Sequence, residues 1–308
     1  MHPSELAERL AGPIAFPVTI FNDDDDKSVD LEALAAHIDL VVSGGVSAIV
    51  IAGGTGEYFS LSMEEINDVI QVGVRAVRGR VPVLAGVGFG PRQGAALARA
   101  ARDIGVDGLV ILPPYYPTPD PGGLVAYYRS VASAVPDVGV VPYSRGAAKL
   151  TPDILRGLAD VPNVVAFKDG HGDVRMFLRN RFALGKRYVW IAGAGDDLVG
   201  AYAAAGAAAY TSSIACFDPV LAVELWRLAS SGMSAALDQL LFDRVLPWYE
   251  MRSRRPGYEV SVMKGAMEAL GYRAGPVRPP LAQLTTEDSL EVKRLAGRLG
   301  LWTSEPRT

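Results

Sequence analysis

Lys168 is the residue whose type and position suggest chemistry most directly. It closes the apolar run 164–167, and it is one of only six lysines among the 30 basic residues of the chain. An amine on the end of a buried strand is desolvated, which lowers its pKa and frees the neutral form as a nucleophile. Two other interpretations stay open here: a structural ion pair, for example with Asp169, or a side chain that extends its ammonium group to solvent.

Two further candidate side chains lie at the end of the preceding apolar run. Tyr143 ends that run, and a phenol there can pass protons to and from a carbonyl oxygen held by Lys168. Arg145 can bind a carboxylate with its planar fork. The alternatives are an aromatic that packs on a helix at the rim and a solvated loop charge. We interpret His171 as a loop residue rather than a base.

The glycine-rich segment 53–57, Gly-Gly-Thr-Gly-Glu, is a second candidate for binding. Successive backbone N–H groups in such a loop can surround an anion, and a carboxylate is the natural ligand. The alternative is a tight turn between a strand and a helix. Residues 86–90 superficially suggest a dinucleotide motif but lack its full spacing, so we interpret them as a loop. The acidic run 23–26 is interpreted as a solvated loop, and three histidines with one cysteine leave little for zinc, so we expect no metal site.

The elements that would position these residues are eight short apolar runs. The runs are continuous rather than alternating, which is typical of parallel strands buried on both faces. Helix starts lie between them, with Asp30 and Ser62 as N-caps, Glu65 completing a capping box, and Thr151 before a proline. The predicted strands are 14–20, 48–51, 81–86, 108–112, 138–141, 164–168, 188–192 and 207–211.

Eight strand–helix units in about 230 residues predict an α/β fold, a (β/α)8 TIM barrel over residues 1–232. A doubly wound sheet is the open alternative. Helical patterns without strands follow at 235–252, 260–270 and 287–299, which predicts a helical region over 233–308 packed on the barrel. In a barrel, function gathers at the carboxyl ends of the strands. All the candidate residues above lie at such ends.

Composition excludes several classes of protein. Hydrophobic residues make up 49% and charged residues 21%, which argues against disorder. A net charge of −4 gives no basic surface for nucleic acid. We find no apolar stretch of about 20 residues for a membrane span and no secretory signal. The single cysteine, Cys216, rules out an internal disulfide and fits a reducing compartment, so we expect a cytoplasmic enzyme with a small-molecule substrate.

The motifs carry a resemblance that covers nearly the whole chain. Residues 54–57 (Gly-Thr-Gly-Glu), residues 112–116 (Leu-Pro-Pro-Tyr-Tyr), Tyr143, and Lys168 in its apolar strand resemble the pyruvate-aldolase superfamily of Schiff-base barrels. That superfamily includes dihydrodipicolinate synthase and N-acetylneuraminate lyase. The chain looks most like its 5-dehydro-4-deoxyglucarate dehydratase branch, on the residues of stretches 52–61, 167–170, 210–213 and 255–261.

The resemblance implies a role for each matching residue. Lys168 would form the imine, and Tyr143 would relay protons. Thr55 and the backbone around Gly54 would bind the carboxylate beside the keto group. Two serines after the eighth strand would line the pocket, and two residues after Tyr143 would meet the distal end of the substrate; these are Ser212 and Ser213, and Ser144 and Arg145. The resemblance implies no cofactor and no metal, because the chemistry uses the covalent imine on Lys168. It also implies a homodimer or homotetramer.

Departures from the superfamily pattern help to choose among the activities known in the superfamily. Gly54 stands where the synthase and the lyase usually carry a hydroxyl residue, whereas the dehydratase branch carries glycine there. Ser144 replaces the usual asparagine, and residues 146–148 also differ. The resemblance thus implies dehydration and decarboxylation of 5-dehydro-4-deoxyglucarate to 2,5-dioxopentanoate in sugar diacid catabolism. The alternatives are an aldolase on a related 2-keto-3-deoxy sugar acid, the biosynthetic synthase, and a silent barrel that serves as a sensor or assembly protein.

Overall fold

Eight parallel strands form a closed barrel in the computed structural model, which describes residues 1–114 and 117–299. The strands follow one another around the barrel in chain order, and the last pairs with the first. This closure confirms the (β/α)8 prediction and excludes the doubly wound sheet. The strands are β1 Gly12–Ala15, β2 Ala48–Ile51, β3 Val83–Val87, β4 Gly108–Ile111, β5 Gly139–Ser144, β6 Ala166–Asp169, β7 Val189–Ala192 and β8 Ala209–Ser212.

Helices surround the barrel and extend beyond it. Two predicted N-caps are confirmed: Asp30 accepts a hydrogen bond from Ala33 N, and Ser62 forms the capping box with Glu65. Thr151 occupies the N-cap position, although its side chain makes no capping hydrogen bond. The helices are α1 Pro3–Arg9, α2 Leu31–Ser43, α3 Met63–Val77, α4 Pro91–Ile104, α5 Pro121–Ser133, α6 Pro152–Arg156, α7 Val174–Leu184, α8 Val199–Ala204, α9 Pro219–Ser230, α10 Ser234–Leu240, α11 Leu246–Ser253, α12 Tyr258–Ala269 and α13 Thr286–Arg298.

The predicted strand bounds hold to within about three residues, with one exception. The first strand was predicted over 14–20, but β1 ends at Ala15. Residues 16–20 stay buried without ladder pairing, and Pro17 has no N–H to donate. A continuous apolar run indicates that a segment is buried. It does not indicate whether the buried segment is a strand or irregular, and this is why the prediction extended too far.

The short helix α1, which the sequence analysis did not predict, closes the amino-terminal end of the barrel. Its Leu6 is fully buried and belongs to the apolar cluster inside the barrel. A Cβ added to Gly108 or Gly139, at the starts of β4 and β5, would lie 2.5 or 2.6 Å from Leu6 Cδ2. The absence of side chains at these glycines leaves the space that Leu6 fills. Because α1 closes this end of the barrel, we expect a reaction site at the opposite, carboxyl end.

The chain after β8 and α9 is helical, as expected. The π-helical turn Leu241–Val245 joins α10 to α11, so the predicted helix 235–252 is one run with an interruption. Side chains from α11 and α12 reach the carboxyl-end face of the barrel, as described below. The division at residues 232 and 233 remains a prediction, and residues 300–308 lie outside the described part. None of the described helices is long and apolar enough to cross a bilayer.

Candidate active site

Lys168 and Tyr143 are neighbours in the barrel wall. Strands β5 and β6 pair with Tyr143 opposite Lys168. Lys168 Nζ lies 3.5 Å from the centroid of the Tyr143 ring and 5.0 Å from that of Phe16. It donates a hydrogen bond to the Gly193 carbonyl at 3.4 Å. Lys168 is 4% exposed, so its amine does not extend to solvent.

Asp169 does not form an ion pair with Lys168. Successive residues of a strand point to opposite faces, and Asp169 points away from the barrel interior. There its carboxylate accepts hydrogen bonds from the Tyr202 hydroxyl and from His171 N. Within residues 1–114 and 117–299, no carboxylate lies within 4.0 Å of Lys168 Nζ. The ion-pair interpretation is therefore wrong.

The electrostatics of the pair favour nucleophilic and proton-transfer chemistry. Burial lowers the pKa of Lys168 below its usual range, and the nearby Arg145 adds to this, while Tyr143 and Asp169 oppose it. Burial alone would raise the pKa of Tyr143, but the positive charges of Lys168 and Arg145 outweigh burial and lower it. Both groups therefore titrate closer to neutrality than free lysine and tyrosine do.

Two glycines allow the close packing around this pair. A Cβ on Gly193 would lie 2.7 Å from Lys168 Nζ and 2.6 Å from the Asp169 carbonyl oxygen. A Cβ on Gly170 would lie 2.6 Å from the Tyr143 hydroxyl oxygen. Any larger residue at either position would displace the Lys168 or the Tyr143 side chain.

The loop 53–57 lies on the same face. A Cβ on Gly53 would lie 2.5 Å from the Phe16 ring, which itself faces Lys168. Gly54 is exposed. Thr55 is half-buried, and its hydroxyl makes no hydrogen bond to the rest of the described chain. Glu57 has a left-handed backbone at φ 55°, which is strained for a residue with a side chain. The loop thus presents backbone and a free hydroxyl to the barrel mouth.

A buried ion pair connects this loop to the C-terminal region. Lys264 Nζ of α12 lies 2.7 Å from Glu57 Oε1, and the two side chains are 3% and 0% exposed. Arg278 N donates to Glu57 Oε2 at 2.9 Å, and the Arg278 guanidinium pairs with Glu65 at 2.6 Å. Burial raises the pKa of Glu57, against the effect of Lys264, and lowers that of Lys264. The C-terminal region therefore fixes the candidate carboxylate loop.

Ser212, at the end of β8, and Ser213, directly after it, contact a fully buried carboxylate, Asp196. Asp196 accepts hydrogen bonds from the Ser212 hydroxyl, from Ser213 N at 3.2 Å and from Ser213 Oγ at 3.3 Å. Ser212 Oγ also accepts from Ala215 N at 3.0 Å, so its proton is committed to Asp196 and one of its lone pairs to the backbone. From α11, Tyr249 OH donates to Asp196 Oδ2 at 3.0 Å. The lining role of both serines remains a prediction.

The remaining candidates lie around Tyr143. Ser144 is buried, and its hydroxyl donates to Ala148 O and accepts from Leu150 N, which closes the loop after β5. Arg145 is exposed, and its Nη1 donates to the Tyr143 hydroxyl at 3.4 Å.

The other motifs singled out in the sequence lie away from the reactive pair or outside the described chain. His171 lies in the loop after β6, as expected, with Nε2 buried. Tyr116 and Tyr115 of the 112–116 motif lie outside the described residues. In the acidic run 23–26, Asp24 accepts hydrogen bonds from Ser28 N and Oγ, and no described cluster of three acidic, histidine or cysteine residues could hold a metal ion.

Several residues of this face were missed by the sequence analysis. Asp196, Tyr249 and Arg252 come together only through the tertiary fold. Lys264 had a local signal, since it is the one charged residue in the largely apolar stretch 260–267. That signal resembles the one at Lys168, so a lysine in an apolar stretch does not by itself identify a candidate nucleophile.

The chain is similar to a defined family over almost its whole length. The model of the Dihydrodipicolinate synthetase family matches residues 9–298. A probable 5-dehydro-4-deoxyglucarate dehydratase of Leptothrix cholodnii is 38% identical over 304 residues, which cover 97% of this chain and 99% of that protein. A 5-dehydro-4-deoxyglucarate dehydratase of Pseudomonas putida is 36% identical with the same coverage. The resemblance stated above is confirmed.

Solved structures share the architecture. A dihydrodipicolinate synthase from Oceanobacillus iheyensis superposes with a TM-score of 0.91 at 27% identity, covering 97% of this chain and 99% of that one. A second, from Bacillus clausii, gives a TM-score of 0.89 at 29% identity, covering 95% and 98%. The similarity therefore includes the helices that follow the barrel.

Proposed function

We propose that this chain, which belongs to the dihydrodipicolinate synthetase family, dehydrates and decarboxylates 5-dehydro-4-deoxy-D-glucarate to 2,5-dioxopentanoate. The observation that carries the imine chemistry is the buried amine of Lys168, 3.5 Å from the centre of the Tyr143 ring and without a carboxylate partner in the described chain. The choice of substrate rests on the two relatives named as dehydratases and on Gly54 in the loop after β2.

The first half of the reaction is a dehydration. The Lys168 amine attacks the ketone of the substrate, and the ketone oxygen leaves as water to give an iminium. The iminium withdraws electrons, so a proton leaves the adjacent methylene to Tyr143. The resulting enamine expels the β-hydroxyl, which takes up a proton and leaves as the water lost in the overall reaction. The product of this half is a conjugated iminium.

The second half is a decarboxylation. The conjugated iminium accepts the electron pair of the bond to the far carboxylate, which leaves as CO2. A proton returns to carbon, the enol tautomerises to the aldehyde, and water hydrolyses the iminium to restore the Lys168 amine. One lysine thus serves as the electron sink for both steps.

The surrounding residues have distinct proposed roles. Thr55 and the backbone at Gly54 bind the carboxylate next to the imine, and Ser212 and Ser213 line the wall at β8. The charge of Arg145 keeps the pKa of Tyr143 low, because the two side chains are in contact. No prosthetic group or metal is proposed.

We also propose a homodimer or homotetramer in the cytoplasm, acting in sugar diacid catabolism. The family resemblance supports the assembly, and sedimentation of the purified chain tests it. A monomer at assay concentration would contradict the proposed assembly without touching the chemistry.

The test of the activity is to incubate the purified protein with 5-dehydro-4-deoxyglucarate and identify the products by mass spectrometry. We expect CO2 and 2,5-dioxopentanoate, and no turnover with Lys168→Ala. Pyruvate without CO2 would instead identify an aldolase. Borohydride trapping of keto acids on Lys168 separates both from a silent barrel, which would trap none.

A further inference from the structure

Arg252 brings a positive charge from the C-terminal region to the mouth of the barrel. It lies near the end of α11, one helical turn after Tyr249, and is half-buried. Its Nη1 donates to Ser213 Oγ at 2.9 Å, directly after β8. Its guanidinium stacks on the Tyr249 ring, with Cζ 4.6 Å from the ring centroid. A side chain from outside the eight units therefore joins the candidate site.

The surroundings hold this guanidinium in one plane. The Tyr249 hydroxyl accepts a hydrogen bond from Asp196 N at 2.6 Å and donates to the same residue's carboxylate, which fixes the ring beneath Arg252. The π-helical turn Leu241–Val245 lies just before this part of α11 and changes the helix register there. A planar fork fixed by stacking is pre-organised for a carboxylate.

The guanidinium has no carboxylate partner of its own in the described residues. Asp196 is a buried acid that shares Ser213 with Arg252, but its oxygens accept from Ser212, Ser213, Ile214 N and Tyr249, and no acid in the described residues lies within 4.0 Å of Arg252. The positive charge of Arg252 acts to lower the pKa of Asp197, but the two side chains form no ion pair.

We infer that Arg252 binds the distal carboxylate of the substrate and so selects diacids over monoacids. The inference rests on the proposed function, because it takes the imine at Lys168 as the fixed point. The Gly193 carbonyl contacts the Lys168 amine, and three residues later Asp196 meets Ser213, the partner of Arg252. This series of contacts leads from Lys168, where the imine would form, toward the β7 and β8 side of the barrel mouth.

Arg145 is the other cationic candidate for the distal end, and its position argues against it. Its Nη1 contacts the Tyr143 hydroxyl, and the Tyr143 ring lies directly against Lys168 Nζ. Arg145 therefore lies at the reacting end of the substrate. Arg252 instead contacts Ser213 on the side of β8 and has no described contact with Lys168 or Tyr143.

The experiment compares two six-carbon keto acids that differ in the far group, 2-oxoadipate and 2-oxohexanoate. Borohydride trapping on Lys168 is measured against the concentration of each acid, in the wild type and in Arg252→Met, Arg252→Lys, Arg145→Met and Arg255→Met. Arg255 is an exposed arginine of the same segment and serves as the matched control. Trapping of 2-oxohexanoate also reports whether each variant keeps a working pocket.

We expect the wild type to be half-saturated by 2-oxoadipate at a concentration on the order of 10- to 100-fold lower than by 2-oxohexanoate, as for a charge-assisted fork. Arg252→Met should remove this preference, Arg252→Lys should keep part of it, and Arg255→Met should keep it all. The corresponding KM for the diacid substrate should rise by the same factor, with a smaller change in kcat.

Three results would overturn the inference while the proposed function stands. The first is a wild-type preference that survives in Arg252→Met or is lost in Arg145→Met instead. The second is an equal loss for both acids in Arg252→Met, which would mean that Arg252 only balances Asp196 and Asp197. The third is a wild type that traps both acids equally. A wild type that traps neither acid would refute the proposed imine function, and the inference with it.

Discussion

Replacing Lys264 by methionine tests whether the C-terminal region holds the candidate carboxylate loop. The change keeps most of the length of the side chain and removes its charge. It leaves the fully buried Glu57 without the ammonium group that lies 2.7 Å away. Because the strained backbone of Glu57 lies two residues after Thr55, we expect both the stability of the fold and the binding of substrate to suffer.

The magnitude follows from the burial of the pair. Removing one partner of a buried ion pair costs about 3–5 kcal/mol, because the other charge stays without compensation. For a chain of this size, each kcal/mol lowers Tm by about 2 °C, so we expect a loss of about 6–10 °C. The exposed pair of Arg227 and Glu224 has nearly the same separation, 2.6 Å, with side chains 54% and 41% exposed. Arg227→Met should cost less than about 1 kcal/mol.

The dependence on pH sharpens the test. Burial raises the pKa of Glu57, so its protonated form is favoured in the fold. A raised pKa means that stability is lost as pH increases through it, and in Lys264→Met no ammonium group opposes this. The variant should therefore be more destabilised at pH 8 than at pH 5.

Thermal unfolding of Lys264→Met, Arg227→Met and the double variant Glu57→Gln/Lys264→Met measures these effects. The double variant should recover most of the stability and lose the added dependence on pH, because no buried charge remains. A loss in Lys264→Met no larger than that in Arg227→Met would refute the reasoning. So would an equal loss at both pH values.

Three further predictions concern Lys168 and Tyr143. Tyr143→Phe should lower kcat by about 10²–10⁴-fold while borohydride trapping on Lys168 persists, and equal turnover would exclude Tyr143 from proton transfer. Arg145→Met removes a charge that lowers the pKa of both Lys168 and Tyr143, so the acid limb of the kcat/KM profile should move to higher pH; an unmoved limb would contradict this. Gly193→Ala places a Cβ 2.7 Å from Lys168 Nζ and should slow trapping by about 10²-fold, whereas Gly297→Ala, whose Cβ meets nothing within 4 Å, should leave it unchanged.

The barrel itself could be predicted because its signals are local. A strand buried on both faces is an apolar run wherever it occurs, and β2 was predicted with the bounds observed. The proximity of Lys168 and Tyr143 could be predicted for the same reason, since each lies one residue before the carboxyl end of its strand and these ends meet at one face. The first strand was mispredicted and α1 was missed, because apolar composition reports burial and not hydrogen bonding.

The sequence by itself therefore determined the fold class and the family, and it singled out Lys168 and Tyr143 as the candidates for imine and proton-transfer chemistry. Only the tertiary structure decided what holds and completes the site. Arg278 meets Glu57 across 221 positions and Tyr249 meets Asp196 across 53, and no local pattern encodes such pairings. Two buried lysines with similar sequence settings also differ in partner: Lys264 has a carboxylate, and Lys168 has a ring face and a carbonyl. Charge compensation depends on which groups meet in space, and that is set by the closure of the barrel and the return of the C-terminal helices.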